Sequence, residues 1–255
     1  MSTLYKRSLI RQEWQAFWLA VSFLTRIPVW VKIDYSQGLM NSSSLYFPLV
    51  GFLLGALNLL AFSVLISLLP LTVTLLLLLV LHLWITGAFH EDGLADSLDA
   101  FGGGYTREKR LEIMKDSRIG TYGSVALFCV LALKWATWVE LDNLAIALLM
   151  APAIARLTPL FLMHFMPYVT ASEQSKTKPV ADSMSLGRLA LAILGVLLVA
   201  LIAQVFWITL FAIAITLLCW GYSLHRNLGG YTGDTLGASV IISELVFLLL
   251  MLIGH

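Results

Sequence analysis

Seven apolar segments of roughly 20 residues each run through this chain of 255 residues, and each is long enough to cross the hydrocarbon core of a bilayer. They are 45–69, 70–89, 120–141, 144–166, 187–204, 206–224 and 236–254. Hydrophobic residues make up 59% of the chain and charged residues 12%, which excludes a soluble domain with a single anchor. The sequence therefore predicts an all-α, polytopic integral membrane protein with about seven transmembrane helices, in which residues 1–255 form one domain.

An eighth apolar segment, 14–33, is interrupted by Arg26 and Pro28, which predicts an N-terminal interfacial or re-entrant helix instead of a span. This assignment puts most of the positive charge on one face of the membrane. Thirteen of the sixteen Lys and Arg residues then fall in 1–44, 91–119, 167–186 and 225–235. The positive-inside rule makes that face cytoplasmic, and with it the polar regions near 90–119 and 225–237, where we expect the catalytic loops.

Four acidic residues crowd positions 90–99, directly after an apolar segment. In a helix, Asp92, Asp96 and Asp99 are spaced i, i+4 and i+7 and share one face. Carboxylates beside hydrocarbon are costly and mark functional sites. Three like charges on one stripe favour a hard divalent cation such as Mg²⁺, which takes oxygen ligands and shares them with substrate phosphates. We therefore expect a metal and phosphate site at the membrane surface.

Three glycines, 102–104, and a strongly basic stretch follow the acidic residues. The basic residues before the next span are Arg107, Lys109, Arg110, Lys115 and Arg118. Glycines let backbone amides approach a ligand closely, and cations position phosphoryl oxygens while a metal neutralises developing charge. The combination indicates phosphoryl transfer, although the charges at 107–110 taken alone also fit a solvated loop.

The second polar region, 225–237, contains four glycines and has the composition of a tight loop whose backbone faces a ligand. Its expected ligand-contacting residues are Arg226, Gly229, Gly230, Thr232 and Asp234. Asp234 precedes an apolar segment, so it fits a helix N-cap, a site residue or both. Arg226 stands where it could clamp a phosphate.

Three charged residues lie inside apolar segments. For Arg156, a structural interpretation is an interhelical pair with an acid such as Glu244. Lys134 is expected to extend its amine towards the interface or to pair structurally.

Three sequence blocks resemble the motifs of cobalamin synthase, the adenosylcobinamide-GDP ribazoletransferase family. HEDGLADSLD at 90–99 resembles H-x-D-G-L-A-D-x-x-D, and EIMKDSRIGTYG at 112–123 resembles E-I-M-[KR]-D-S-R-x-G-[ST]-x-G. GGYTGDTLGA at 229–238 resembles G-G-x-T-G-D-x-x-G-A. FLTRIP at 23–28 and FPLVG at 47–51 also fit, so the resemblance spans most of the chain in order.

The resemblance implies a Mg²⁺-dependent, multi-pass enzyme of the bacterial inner membrane. It would join adenosylcobinamide-GDP to α-ribazole or its 5′-phosphate, release GMP and yield adenosylcobalamin or its phosphate. The implied metal ligands are Asp92, Asp96 and Asp99. The implied catalytic residues are Asp92, Asp96 and, as a general base by position alone, Asp116. The implied substrate contacts are Lys115, Arg118 and Arg226 on phosphates, with Asp234 as a further metal or hydroxyl ligand.

Other functions remain open from the residues alone. A CDP-alcohol phosphotransferase would carry D-G-x-x-A-R, whereas Asp92-Gly93 is followed by Leu94-Ala95-Asp96. A transporter would place its carboxylates near the midplane on broken helices, not at the end of a span. A scaffold for other corrinoid-pathway enzymes is a third possibility. The expected partners are the two substrates, the lipid bilayer and such pathway enzymes; no nucleic acid is expected, and no oligomeric state is indicated.

Overall fold

The protein is a bundle of α-helices. A computed structural model describes residues 2–169 and 181–254, with side chains from residue 9 onward. The helices are α1 (Ser2–Leu24), α2 (Gln37–Ser43), α3 (Phe47–Leu65), α4 (Leu71–Thr86), α5 (Phe89–Gly103), α6 (Arg107–Ile113), α7 (Thr121–Glu140), α8 (Leu144–Ala155), α9 (Thr158–Phe165), α10 (Leu186–Ile202), α11 (Phe206–Thr216), α12 (Tyr222–Leu228) and α13 (Gly233–Ile253). A 3₁₀ turn joins α2 to α3, and a π-helical turn joins α11 to α12. Within these two described ranges the only extended pairing is one parallel bridge, Tyr168–Tyr231, which confirms the all-α prediction.

In the part of the chain that the structure describes, five helical segments are long and apolar enough to cross a membrane: Gln37–Leu65, Thr121–Glu140, Leu144–Phe165, Phe206–Leu228 and Gly233–Ile253. A sixth arises only if α4 and α5, bent by 88°, count together as one span. All seven predicted segments are helical, but the count of seven spans is corrected to five or six. The 16 residues of α4 rise about 24 Å, short of a hydrocarbon core of about 30 Å, and α10 has only 17 residues.

The N-terminal helix α1 is not among the segments apolar enough to span, in agreement with the sequence analysis. Its boundaries differ from 14–33, because it ends at Leu24 and residues 25–36 are not helical. The Thr25 hydroxyl donates to the Val21 carbonyl (2.7 Å) and accepts from the Ile27 amide (3.2 Å). Its side chain thus satisfies backbone groups at the end of α1, where the helical hydrogen bonds stop. An ion pair between Glu13 and Arg188 ties α1 to α10.

Two segments form the centre of the bundle, because 83% of the residues in an 18-residue window of Leu144–Phe165 and 61% of those in a window of Gly233–Ile253 are buried. The first packs on α3, and the second packs on α5. Between α8 and α9 the α-helix is interrupted, and the Leu157 amide donates to the Ile154 carbonyl (3.0 Å), three residues back instead of four. The Arg156 side chain compensates by donating from Nη1 to the Pro152 carbonyl (2.8 Å).

A buried ion pair crosses the bundle between α7 and α13. Lys134 Nζ lies 2.8 Å from Glu244 Oε1, and the two side chains are only 5% and 3% exposed. Lys134 also lies 5.0 Å from the centroid of the Trp138 ring. The expected partner of Glu244 was Arg156. In the structure Glu244 pairs with Lys134, and the Arg156 guanidinium donates to the Pro152 carbonyl in its own helix.

Candidate active site

The acidic helix α5 leaves α4 at 88°. The turn is made by Gly87 and Ala88, whose φ angles of 70° and 54° are both left-handed. They end α4 and begin α5 without an intervening loop. Because two helices at this angle cannot both follow the bilayer normal, we place α5 outside the membrane-spanning segments, at the end of α4.

A cavity of about 540 Å³ lies beside this turn. Asp92 and Asp96, one helical turn apart on α5, both line it, as their spacing predicts. Thr25 and Arg26, from the segment after α1, line the same cavity, and so does Ser117 from the loop before α7. Glu91 and Thr86 complete the polar lining, so the cavity combines three acidic side chains with one guanidinium and three hydroxyls.

Two backbone contacts fix Arg26 beside the acidic helix. Its amide donates to the Ile85 carbonyl at 2.7 Å, which holds the segment after α1 against the end of α4. Its guanidinium lies against Gly87, where an added Cβ would stand 2.5 Å from Arg26 Nε. A side chain at position 87 would displace the guanidinium from this position.

Helix α13 brings a further carboxylate to α5. Gly93 packs on the backbone of Asp234, so closely that a Cβ on Gly93 would lie 2.6 Å from the Asp234 carbonyl oxygen. Burial, followed by the negative charges of Asp92, Asp234 and Asp99, raises the pKa of Asp96 to about 7. This repulsion is the electrostatic condition that a bound cation relieves.

Unlike Asp92 and Asp96, Asp99 binds backbone amides at the start of α7. Its carboxylate accepts hydrogen bonds from the amides of Gly120 (2.7 Å) and Gly123 (2.9 Å) and thereby caps the N-terminus of α7. It lines a second cavity, separate from the one that Asp92 and Asp96 share. Its role as third metal ligand stays a prediction, since both oxygens already bind amides. In residues 2–169 and 181–254, no three His, Cys, Asp or Glu side chains form a ready-made metal site.

Asp116 and Arg118 form an exposed pair beside that second cavity. Arg118 donates to Asp116 from its backbone amide (3.1 Å), from Nε (3.0 Å) and from Nη2 (2.6 Å). The hydrogen bonds from Arg118 lower the pKa of Asp116 to about 2. A carboxylate with so low a pKa is a poor proton acceptor near neutral pH. The general-base role of Asp116 therefore stays a prediction that its pairing does not favour.

The glycine loop after α12 is pinned to the segment 167–169. Gly229 ends α12 with a left-handed φ of 71°. The Tyr231 amide donates to the Pro167 carbonyl (3.0 Å), and a Cβ on Gly230 would meet that same carbonyl oxygen at 2.2 Å. Both glycines thus have structural roles, and their predicted contacts with a ligand stay predictions.

Thr232 is the N-cap of α13. Its Oγ1 accepts from the Thr235 amide (3.2 Å), and the Thr235 hydroxyl accepts from the Thr232 amide (2.8 Å) in a reciprocal capping box. Asp234, in the first turn, therefore does not serve as the cap and is left near the acidic helix. Lys115 and Arg226 are exposed, and their phosphate contacts stay predictions.

The family model described as "Cobalamin-5-phosphate synthase" matches residues 16–252. The chain belongs to the cobalamin-5-phosphate synthase family. Similar curated relatives are adenosylcobinamide-GDP ribazoletransferases from Vibrio cholerae, 42% identical over 96% of this chain and 96% of the relative, and from Shewanella pealeana, 36% identical over 96% and 97%. A third, from Shewanella amazonensis, is 40% identical over 96% and 98%. No solved structure matches the chain.

Membership in the cobalamin-5-phosphate synthase family confirms the resemblance seen in the sequence blocks. It makes this chain a transferase of cobalamin biosynthesis with several apolar membrane helices. The CDP-alcohol, transporter and scaffold interpretations are set aside by the same match.

Arg26 is the residue that the sequence analysis did not assign to the site. Its signal was present, because a cation interrupts the apolar segment 14–33 two residues before a proline. We interpreted that cation only as a reason why the segment does not span. The missing information was the fold of the chain, which brings residues 25–26 to the turn between α4 and α5.

Proposed function

We propose that this chain transfers the adenosylcobinamide phosphate group from adenosylcobinamide-GDP to α-ribazole or its 5′-phosphate. A ribose hydroxyl oxygen of the acceptor attacks the phosphorus attached to the corrinoid side chain. The bond from that phosphorus to the bridging oxygen breaks, GMP leaves, and the hydroxyl loses its proton. The products are adenosylcobalamin, or its phosphate, and GMP. The observation that carries this proposal is the cavity in which Asp92, Asp96 and Arg26 stand together.

The donor set of the cavity suits Mg²⁺. Mg²⁺ in phosphoryl-transfer sites is held by one or two carboxylates and completed by substrate phosphates and water, so a complete protein cage is not required. Asp92 and Asp96 supply two carboxylates on one helix face, and their repulsion favours a cation. Asp234 lies near enough to add to the negative field. When bound, Mg²⁺ would neutralise charge on the diphosphate.

The protein's own cations and hydroxyls position the donor. Arg26, held against Gly87, presents a guanidinium to the same cavity, and guanidinium groups bind phosphate oxygens through paired N–H donors. We further propose Lys115, Arg118 and Arg226 as contacts that come into play around the exposed part of the substrate. We assign no general base, since Asp116 is held as an ionised partner of Arg118.

We also propose the membrane setting. The site faces the cytoplasm of a bacterial inner membrane, because the basic segments of the chain cluster on that side by the positive-inside rule. The bilayer supports the bundle, and other corrinoid-pathway enzymes are candidate neighbours at that surface. Proteolysis from one side of sealed membrane vesicles would test the orientation.

The reaction is tested by GMP release from membranes that contain the chain. The substrates are adenosylcobinamide-GDP and α-ribazole, with Mg²⁺ or EDTA. We expect Mg²⁺-dependent GMP formation that falls on the order of 10²–10³-fold in Asp92→Asn and in Asp96→Asn. The matched control is Asp142→Asn, an exposed aspartate between α7 and α8. No GMP from a folded, membrane-inserted chain would overturn the proposed reaction, and full activity in both site variants would overturn the proposed site.

A further inference from the structure

The second cavity, of about 500 Å³, lies next to the acidic one, and Ile119 lines both. Its walls are mainly Ile113, Ile119 and the ring of Tyr122, with Asp99 and the Asp116–Arg118 pair at its edges. A molecule seated there would have one end close to the cavity of Asp92 and Asp96. The proposed transfer needs two substrates side by side, and the proposed donor accounts for only one of the cavities.

The Tyr122 ring is held by backbone on one side. A Cβ added to Gly102 would lie 2.4 Å from the ring Cγ of Tyr122, so this position on α5 has space for the ring only because it is a glycine. Tyr122 is nevertheless 58% exposed, so a large part of the side chain remains open to a ligand. A flat ring supported by backbone and open to solvent is suited to stack against a planar base.

Asp99 fixes the helix turn that carries this ring. Its carboxylate binds the amides of Gly120 and Gly123, the residues on either side of Thr121 and Tyr122. A Cβ on Gly120 or on Gly123 would lie 2.4 Å from an Asp99 oxygen, so neither position accommodates a side chain without displacing the carboxylate. The acidic helix therefore anchors the first turn of α7 and sets the position of Tyr122 relative to the acidic cavity.

The hydrogen-bonding groups of the cavity indicate which base fits. A guanine base presents N–H donors at N1 and at its amino group and requires carboxylate or carbonyl acceptors. The two carboxylates here are already engaged, Asp99 by two amides and Asp116 by Arg118. The other side chains of the lining are Ile113, Ile119 and Tyr122, with one hydroxyl from Thr121, so apolar and aromatic groups outnumber free polar ones. A benzimidazole in N-glycosidic linkage has no N–H or amino donor and a single ring-nitrogen acceptor, so it leaves fewer polar groups unpaired on such a surface than guanine does.

We propose that Tyr122, with Ile113 and Ile119, forms the binding surface for the planar base of the acceptor nucleoside, and that Gly102 and Asp99 are positioning residues for that ring. This inference rests on the proposed function, which supplies the acceptor. The base lies against Tyr122, and its ribose extends past Ile119 towards the donor phosphate in the acidic cavity.

The test separates acceptor from donor binding. Tyr122→Ala, Tyr122→Phe and the control Tyr105→Ala are compared by varying each substrate in turn; Tyr105 is a 92% exposed tyrosine in the same region. Loss of one base-stacking ring is expected to raise the KM for α-ribazole on the order of tenfold in Tyr122→Ala, with the KM for adenosylcobinamide-GDP nearly unchanged. Tyr105→Ala should match the parent chain, and Tyr122→Phe, which keeps an aromatic ring, should raise the KM for α-ribazole much less than Tyr122→Ala does.

A second measurement needs no turnover. Equilibrium dialysis of radiolabelled α-ribazole against the detergent-solubilised chain should show the same affinity loss in Tyr122→Ala and in Gly102→Ala, whose new Cβ displaces the ring. Tyr122→Leu replaces the alanine variant if that protein is unfolded. Unchanged α-ribazole affinity in a folded Tyr122 variant, or a raised KM for the GDP substrate alone, would overturn the inference. A parent chain that binds α-ribazole through Tyr122 but releases no GMP would overturn the proposed function alone.

Discussion

The two roles open to Asp99 make opposite predictions for Asp99→Asn. As a cap of α7, Asp99 uses both carboxylate oxygens on amides, and asparagine offers only one oxygen acceptor. One charge-assisted hydrogen bond is then lost at a side chain that is only 8% exposed. The loss of such a bond costs about 1.5–3 kcal/mol. At about 2–4 °C per kcal/mol for a chain of this size, the melting temperature should fall by about 3–12 °C.

The assay pairs thermal unfolding in detergent with Mg²⁺ titration of GMP release. We expect Asp99→Asn to melt early while keeping the Mg²⁺ concentration for half-maximal rate unchanged. Asp96→Asn should do the reverse, because it removes a proposed metal ligand and also relieves charge repulsion. Asp142→Asn should alter neither quantity. If Asp99→Asn kept its melting temperature but needed more Mg²⁺, the capping argument would be refuted and Asp99 would be a metal ligand.

Three further outcomes are expected. Arg26→Ala should raise the KM for adenosylcobinamide-GDP about tenfold, because a charged contact with phosphate is lost. The control variant Arg107→Ala, at an exposed arginine, should leave this KM unchanged, and an unchanged KM in Arg26→Ala would remove Arg26 from the site. Asp116→Asn should leave the pH profile of kcat unaltered from pH 5 to 9. A carboxylate with a lowered pKa of about 2 is ionised throughout this range, and its pair with Arg118 is lost only as pH falls towards 2. A shift of the acid limb of the profile in this variant would instead give Asp116 a proton-transfer role. Lys134→Met should lower the free energy of unfolding by about 3–5 kcal/mol, because it leaves the buried carboxylate of Glu244 without its partner. Unfolding experiments should show that the double variant Lys134→Met/Glu244→Leu regains part of that free energy, and additive losses would contradict the pairing.

Hydrophobic composition predicted the helices well and their membrane crossing less well. All seven apolar segments are helical, because long apolar runs have no other way to satisfy their backbone in lipid. The count failed at segment 187–204, where α10 has only 17 residues, and at segment 70–89, where hydropathy continues through Gly87 and Ala88 but the backbone turns by 88°. Gly87 and Ala88 both have a left-handed φ at this turn. A left-handed alanine is rare, so the residue type at position 88 does not predict the bend.

Helical periodicity placed Asp92 and Asp96 together at one cavity, whereas Asp99, on the same helix face, lines the second cavity. Spacing at i, i+4 and i+7 fixes the face of a helix but not the neighbours along its length. Seven residues advance about 10.5 Å along the axis, so Asp99 lies beyond the acidic cavity and reaches the N-terminus of α7. The partner amides come from residues 120 and 123, and no pattern within 90–99 reveals them.

The glycine-rich blocks predict backbone that faces a ligand, a prediction that stays open, and the structure shows that several glycines also pack closely on protein. Gly93 admits the backbone of Asp234, Gly230 admits the carbonyl of Pro167, and Gly102 admits a tyrosine ring. Each absent side chain brings a second segment within contact of α5 or of the loop before α13. The glycines of a short motif therefore determine which segments, distant in sequence, come into contact. The carboxylates and Arg26 at those contacts supply the chemistry. The site is consequently sensitive to substitutions of glycines that touch no substrate.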